Sequence, residues 1–232
     1  MTEIIATAVL LIALPLVFNA AFIGLAITFD YPDILRRPTA EVLERFRRGG
    51  SRLVLLWWVF AMTAVLLAVL AGILPFALLG AESTLLSLGS VVGVLAGVVQ
   101  FLGLIRWPFL VPYLARADAE ADATPARREA VDVVFQSFNR YLGVAVGEHL
   151  GLLFTGAWSI LVGVSITQTY LLPEWLGVVG MVAGAVLVLC ALEFVGPFER
   201  TGWVVAARLT PVAYVLWSLW LVTTGLLLLT FD

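Results

Sequence analysis

RYLGVAVGEHLGLLFTGAW, residues 140–158, is long, apolar and glycine-rich enough to cross a bilayer, yet it carries Glu148 and His149 side by side. A carboxylate and the only histidine of the chain have no place in hydrocarbon unless a partner, a ligand or a water-filled space justifies them.

The rest of the chain shares this apolar character. Hydrophobic residues make up 62% and charged residues 12%, with a mean hydropathy of +1.07, far from the balance of a soluble domain. Six runs, at 4–28, 52–79, 84–114, 141–168, 175–196 and 203–230, each suffice to cross roughly 30 Å of hydrocarbon. The expected fold is therefore an all-α integral membrane protein, a single six-span domain over residues 1–232. The flank of the first run contains Glu3 and no positive charge, the wrong sign for a secretory leader, so that run is read as a retained helix. Cys190 is the only cysteine, which excludes an intramolecular disulfide.

All thirteen basic residues are arginine. Without lysine the chain holds no retinal or pyridoxal phosphate as a Schiff base and no P-loop. The arginines are placed unevenly. Arg36, Arg37, Arg45, Arg47, Arg48 and Arg52 surround the first connection. Arg106, Arg116, Arg127, Arg128 and Arg140 surround the third, and Arg200 and Arg208 the fifth. The second connection (LLGAESTLLS) and the fourth (TQTYLLPEWLG) have none. By the positive-inside rule, connections one, three and five are cytoplasmic and both termini lie outside, in the cell's inner or plasma membrane.

Two cytoplasmic connections carry helix signals. In RPTAEVLERFRRGG, Thr39 is a candidate cap for a helix over 38–49 whose Val42, Leu43 and Phe46 share a face, and Gly49–Gly50 end it. In ATPARREAVDVVFQSFNR, Thr124 is a candidate N-cap and Pro125 suits the first helical position of a helix over 125–139. Val131, Val134, Phe135 and Phe138 form its apolar stripe. Both read as short amphipathic helices on the inner membrane surface or against the bundle, with docking of a soluble partner as the functional alternative. ARADAEADAT reads as a solvated tether.

Within the fourth span, Gly143, Gly147, Gly151, Thr155, Ser159 and Gly163 recur every four positions, a small-residue stripe for close packing or dimerisation. At ~100° per residue His149 lies about 200° from Gly147, so the far side of this helix is also expected to touch protein. Strongly polar residues gather in the inner half of several spans: Asn19, Gln100, Glu148, Glu193 and Arg208, with Arg106, Asn139 and Arg140 near the edge. They define the expected ligand pocket, open to the cytoplasm and closed to the outside. Each has a plainer role open to it: Glu193 in a pair with Arg200 or Arg208, Arg106 and Arg140 as interfacial anchors beside belt residues Trp107 and Tyr141, Asn19 and Gln100 as cross-helix hydrogen bonders. Trp158, Trp217 and Trp220, in mid-span, read as core or as the floor of an aromatic site.

Metal and cofactor signatures are absent. There is no HExxH, CxxC pair, GxGxxG or Walker loop. One histidine and one cysteine make no typical zinc site, and bis-histidine haem is impossible. The expectation is no metal and no cofactor. Expected partners are membrane lipids and a second copy or a membrane-complex subunit, with no nucleic acid.

DYPDILRRPTAEVLERFRRGG (30–50), LGLIRWPFLVPYLA (102–115) and FQSFNRYLGVAVGEHLGLLFTGAW (135–158) together resemble a bacterial and archaeal family of multi-span membrane proteins catalogued as a domain of unknown function. The resemblance covers most of the chain. It implies a six-span fold and a family signature that includes Arg106, Asn139, Arg140, Glu148 and His149. It implies no activity or substrate.

Three functions remain compatible with these residues. One is a binder or carrier of a small or amphiphilic ligand with Glu148 as its charged centre. Another is an assembly subunit whose polar layer only sets helix register. The third is an intramembrane enzyme on a lipid-like substrate, with Glu148 and His149 sharing acid–base work. No catalytic residue is assigned beyond these two candidates. A carboxylate beside a cavity favours the first and third; a carboxylate clamped by arginine in a solid core favours the second.

Overall fold

A computed structural model describes residues 2–78, 84–120, 124–168 and 171–230. Among them there is no strand, and six helices are long and apolar enough to cross a membrane. Residues 79–83 of the second connection, 121–123 of the acidic tether and 169–170 of the fourth connection lie outside the described residues.

The first span is α1 (Thr2–Phe29). A cis Tyr31–Pro32 peptide and a 3₁₀ turn, Asp33–Arg36, lead into α2 (Thr39–Leu78). Gly50 divides α2, because its φ of 57° and ψ of −153° are not helical and lie where only glycine sits without strain. The segment before it buries Val42, Leu43 and Phe46; the segment after it is the second span. Thr39 does not cap this helix. The Pro38 carbonyl accepts from the amides of Glu41 and Val42 at 3.0 and 3.2 Å. The Thr39 hydroxyl instead donates to the Asp132 carboxylate and accepts from Gln136 Nε2 at 2.8 Å. A side chain expected to start one cytoplasmic helix thus joins it to the other.

The third span comprises α3 (Thr84–Leu104) and α4 (Arg106–Ala119), with a turn at Ile105 between them. Pro108 has no amide to offer the Leu104 carbonyl, which breaks the helical ladder there. The Arg106 guanidinium donates to the Gly103 carbonyl beside the break. The bend carries Trp107 inward, where it is 1% exposed and stacks on Trp57 with centroids 4.4 Å apart. Trp107 is therefore core and not the belt residue expected, whereas Tyr141 is 68% exposed.

α5 (Pro125–Phe138) begins as its sequence implies, Thr124 Oγ1 accepting from the Arg127 amide at 3.2 Å. Only half of its stripe is covered: Val131 and Phe135 are buried, Val134 and Phe138 exposed. The helix does not then stop. It continues through a π-helix, Asn139–Leu150, into α6 (Gly151–Thr167), so the cytoplasmic helix and the fourth span form one rod instead of two separate elements. The fifth span, α7 (Glu174–Cys190), ends in 3₁₀ turns at Ala191–Phe194 and Gly196–Phe198, and α8 (Val204–Leu228) is the sixth.

Each span packs on its neighbours in sequence, and α1 closes the ring against α8. The fourth span is the most enclosed: 56% of its apolar stretch is buried, against 28% for the first and third. Its small residues serve two partners. A Cβ on Gly156 or Gly163 would stand 2.5 or 2.6 Å from a carbonyl oxygen of α7, so both must be glycine for the helices to touch. Gly143, Gly147 and Gly151 face Arg106, Gly103 and Gln100 instead. The mid-span tryptophans are core: Trp217 donates to Ser159 Oγ and Trp220 to the Leu176 carbonyl, both at 3.0 Å, and Trp158 meets both rings edge-on.

Candidate functional site

The π-helix coincides with the stretch that carries Glu148 and His149. Its i→i+5 pattern gives a wider coil than the α-helix, and such coils concentrate at functional sites. Glycines let the widened coil lie on α3: the Cα of Gly103 is 2.9 Å from where a Cβ of Gly147 would sit. His149 faces away from α3 and meets another part of the protein, as its place opposite Gly147 implies. Its Nδ1 lies 2.7 Å from the carbonyl oxygen of Ala191, in the turn after α7. A carbonyl only accepts, so Nδ1 carries the proton and donates, leaving Nε2 as an acceptor in the neutral ring.

Between the π-helix and that turn lies a cavity of about 280 Å³. Glu148, His149 and Glu193 line it, with Arg140 and Glu199 beside them and Val144, Phe194 and Val195 as apolar wall. Arg140 is spoken for: its guanidinium donates to both the carboxylate and the backbone carbonyl of Glu199 at 3.0 Å. The carboxylates of Glu148 and Glu193 make no hydrogen bond or ion pair among the described residues, although Glu193 is only 6% exposed. Neither Arg200 nor Arg208 pairs with Glu193. A buried carboxylate without a contact partner is costly, and it marks a place where a counter-charge is supplied from elsewhere.

Arg106 and Arg36 act on Glu148 through space without contact. Arg106 is held by the Gly103 carbonyl and by Asn139 Oδ1 at 3.0 Å, with its guanidinium 5.3 Å from the Trp107 ring centroid. Tyr31 shares this region. Burial first, and the Glu148 carboxylate second, push its phenol up to about 12, while Arg106 pulls the other way. Tyr214 is within the same field. None of Tyr31, Arg36 and Tyr214 lines the cavity, but their electrostatic coupling to Glu148 is a feature that sequence reasoning missed. The DYPDILRR segment held a signal for two of them, a tyrosine and an arginine directly after a span, but next to proline they read as an ordinary turn.

Of the nine expected pocket residues, Arg140, Glu148, His149 and Glu193 share the cavity. Asn139 stands behind it, holding Arg106. Asn19 is satisfied by the Pro15 carbonyl at 2.7 Å and Ser218 Oγ at 2.9 Å, and Gln100 by Thr155 Oγ1 at 2.8 Å. Arg208 is exposed on α8 and does not line the cavity. Among the described residues, no group of three or more His, Cys, Asp or Glu is arranged to hold a metal ion.

Fold and site together define a six-span helical membrane protein with an acidic cavity between its fourth and fifth spans. The chain matches the model of a family described as a domain of unknown function (DUF4386) over residues 6–225, and it belongs to that family. No curated protein and no solved structure matches it.

Proposed function

We propose that the protein binds a small amphiphilic cation, an amine with a short apolar tail, in the Glu148–Glu193 cavity, as the loading step of a carrier. One observation carries this reading: two carboxylates line the cavity with no cation in contact, while Arg140 is neutralised by Glu199. The apolar wall of Val144, Phe194 and Val195 suits the tail, and the volume, at the lower end of ligand sites, limits its size. His149, fixed by Ala191, holds the turn that presents Glu193. Arg140 and Glu199, both exposed, mark the entrance, which the arginine distribution assigns to the cytoplasmic side of the plasma membrane.

The test is thermal unfolding of the purified protein in detergent with n-butylammonium or butyrate, for the wild type and Glu148→Gln. A ligand of the native state raises the midpoint in a saturable manner. Butylammonium is expected to do so and butyrate not, with the rise lost in Glu148→Gln. Equal responses to the two ions, or an unchanged response in the variant, rule the proposal out.

A further inference from the structure

A second concavity, about 580 Å³, lies between α2 and α4 and shares no lining residue with the acidic cavity. Its character is the opposite. Leu55, Trp58 and Phe109 line its apolar part and are 60%, 43% and 69% exposed, so these large side chains turn outward at the level of a membrane span. Arg47, Arg116 and Ser51 supply its polar part. The break at Gly50 sets Arg47 apart from the apolar wall, because it ends the short helix that carries Arg47 just before the span that carries Leu55 and Trp58.

The two guanidinium groups are poorly used within the protein. Arg47 reaches the Ala115 carbonyl only at 3.4 Å and Asp118 only at 4.0 Å. Arg116 is exposed and has no partner among the described residues. Two available guanidinium groups above an outward-facing apolar wall complement one kind of molecule: an anion whose own tail lies in hydrocarbon. Guanidinium recognises phosphate through paired N–H donors, and basic recesses between spans on the cytoplasmic side suit anionic lipid head groups. A zwitterionic lipid brings its own cation and gains less from the arginines. An apolar helix of another protein offers neither of them an anion.

We infer that this groove is a binding site for an anionic phospholipid, its phosphate between Arg47 and Arg116 and an acyl chain along Leu55, Trp58 and Phe109. The site is independent of the Glu148 cavity and of any ligand bound there. It places an anionic lipid where the short helix of α2 meets the span.

The test is native mass spectrometry of the purified protein in mild detergent, titrated with phosphatidylglycerol or phosphatidylcholine of equal chain length. The wild type is expected to bind the first phosphatidylglycerol about tenfold more tightly than phosphatidylcholine, a difference of about 1.4 kcal/mol. Arg47→Gln combined with Arg116→Gln should bring phosphatidylglycerol down to the phosphatidylcholine level, while Arg128→Gln, an exposed arginine outside the groove, leaves the preference intact. Phe109→Ser keeps both arginines and should weaken long-chain phosphatidylglycerol but not its dihexanoyl analogue. Equal binding of the two lipids, or a preference that survives loss of both arginines, overturns the inference. So does displacement of the lipid by millimolar inorganic phosphate, which would assign the arginines to a free anion, or a protein dimer that forms without lipid and blocks its uptake.

Discussion

His149 and Ala191, 42 residues apart in sequence, are joined by a 2.7 Å hydrogen bond that ties the π-helix to the turn bearing Glu193. That bond joins two walls of the acidic cavity. His149→Phe fills the volume of the imidazole but removes the donor and leaves the Ala191 carbonyl without this partner, at a cost of about 1–3 kcal/mol. The variant is expected to assemble in detergent yet bind butylammonium about tenfold more weakly, while His149→Asn, which keeps an N–H donor, recovers part of the loss. If the phenylalanine variant elutes as a folded monodisperse protein and binds like the wild type, His149 has no part in the site.

Gly103 and Gly147 meet backbone to backbone. A Cβ on Gly103 would stand 2.5 Å from the Cα of Gly147, too close for any real contact. Gly147→Val should therefore lower stability by about 1–3 kcal/mol through overpacking, which in a chain of this size lowers the unfolding midpoint by several degrees. Gly72 is the control. A Cβ there meets nothing within 4 Å, and alanine favours the helix over glycine, so Gly72→Ala should hold or raise the midpoint. Equal midpoints for the two variants would mean that the contact between α3 and the π-helix is dispensable.

Among the described residues, Thr39 is the only one of α2 whose side chain bonds to α5, through Asp132 and Gln136. Thr39→Val keeps the shape and removes both bonds. Amide hydrogen exchange across Pro125–Phe138 should then quicken, because Val131 and Phe135 are the residues of this helix that remain buried against the bundle. The exchange of α7, which takes no part in this link, should be unchanged. Faster exchange throughout would report global destabilisation, and no change would show the link to be idle.

What was legible in the sequence divides by range. The six spans were legible because hydropathy is local, and Glu148 and His149 stood out because an ionisable pair in an apolar run contradicts its surroundings. The cap at Thr124 was legible because its partner is three residues away. Thr39 was misread because its partners lie 93 and 97 residues off. Trp107 was placed at the surface because its neighbour Arg106 suggested an interface, and the bend that Pro108 imposes turned it inward. The π-helix had no signal, since i→i+5 bonding leaves no hydrophobic period that distinguishes it from an α-helix across a span buried on several sides. The small-residue stripe looked continuous, yet within α6 it changes partner, Gly151 and Thr155 facing Gln100 of α3 and Gly163 facing Gly177 of α7.

The arginine distribution makes a claim that the helices alone do not decide, since an even number of spans puts both termini on one side without saying which. Every arginine lies on or near the first, third and fifth connections, and the bias sets orientation through short loops. Cysteine labelling reads it directly. Cys190 is fully buried, so Cys190→Ala gives a silent background. Ser137→Cys, exposed on α5, should react with a membrane-impermeant maleimide only after the cells are permeabilised, whereas Thr2→Cys should react in intact cells. The reverse pattern would invert the protein, and with it the proposed side of entry to the Glu148 cavity and the leaflet proposed to supply lipid to Arg47 and Arg116.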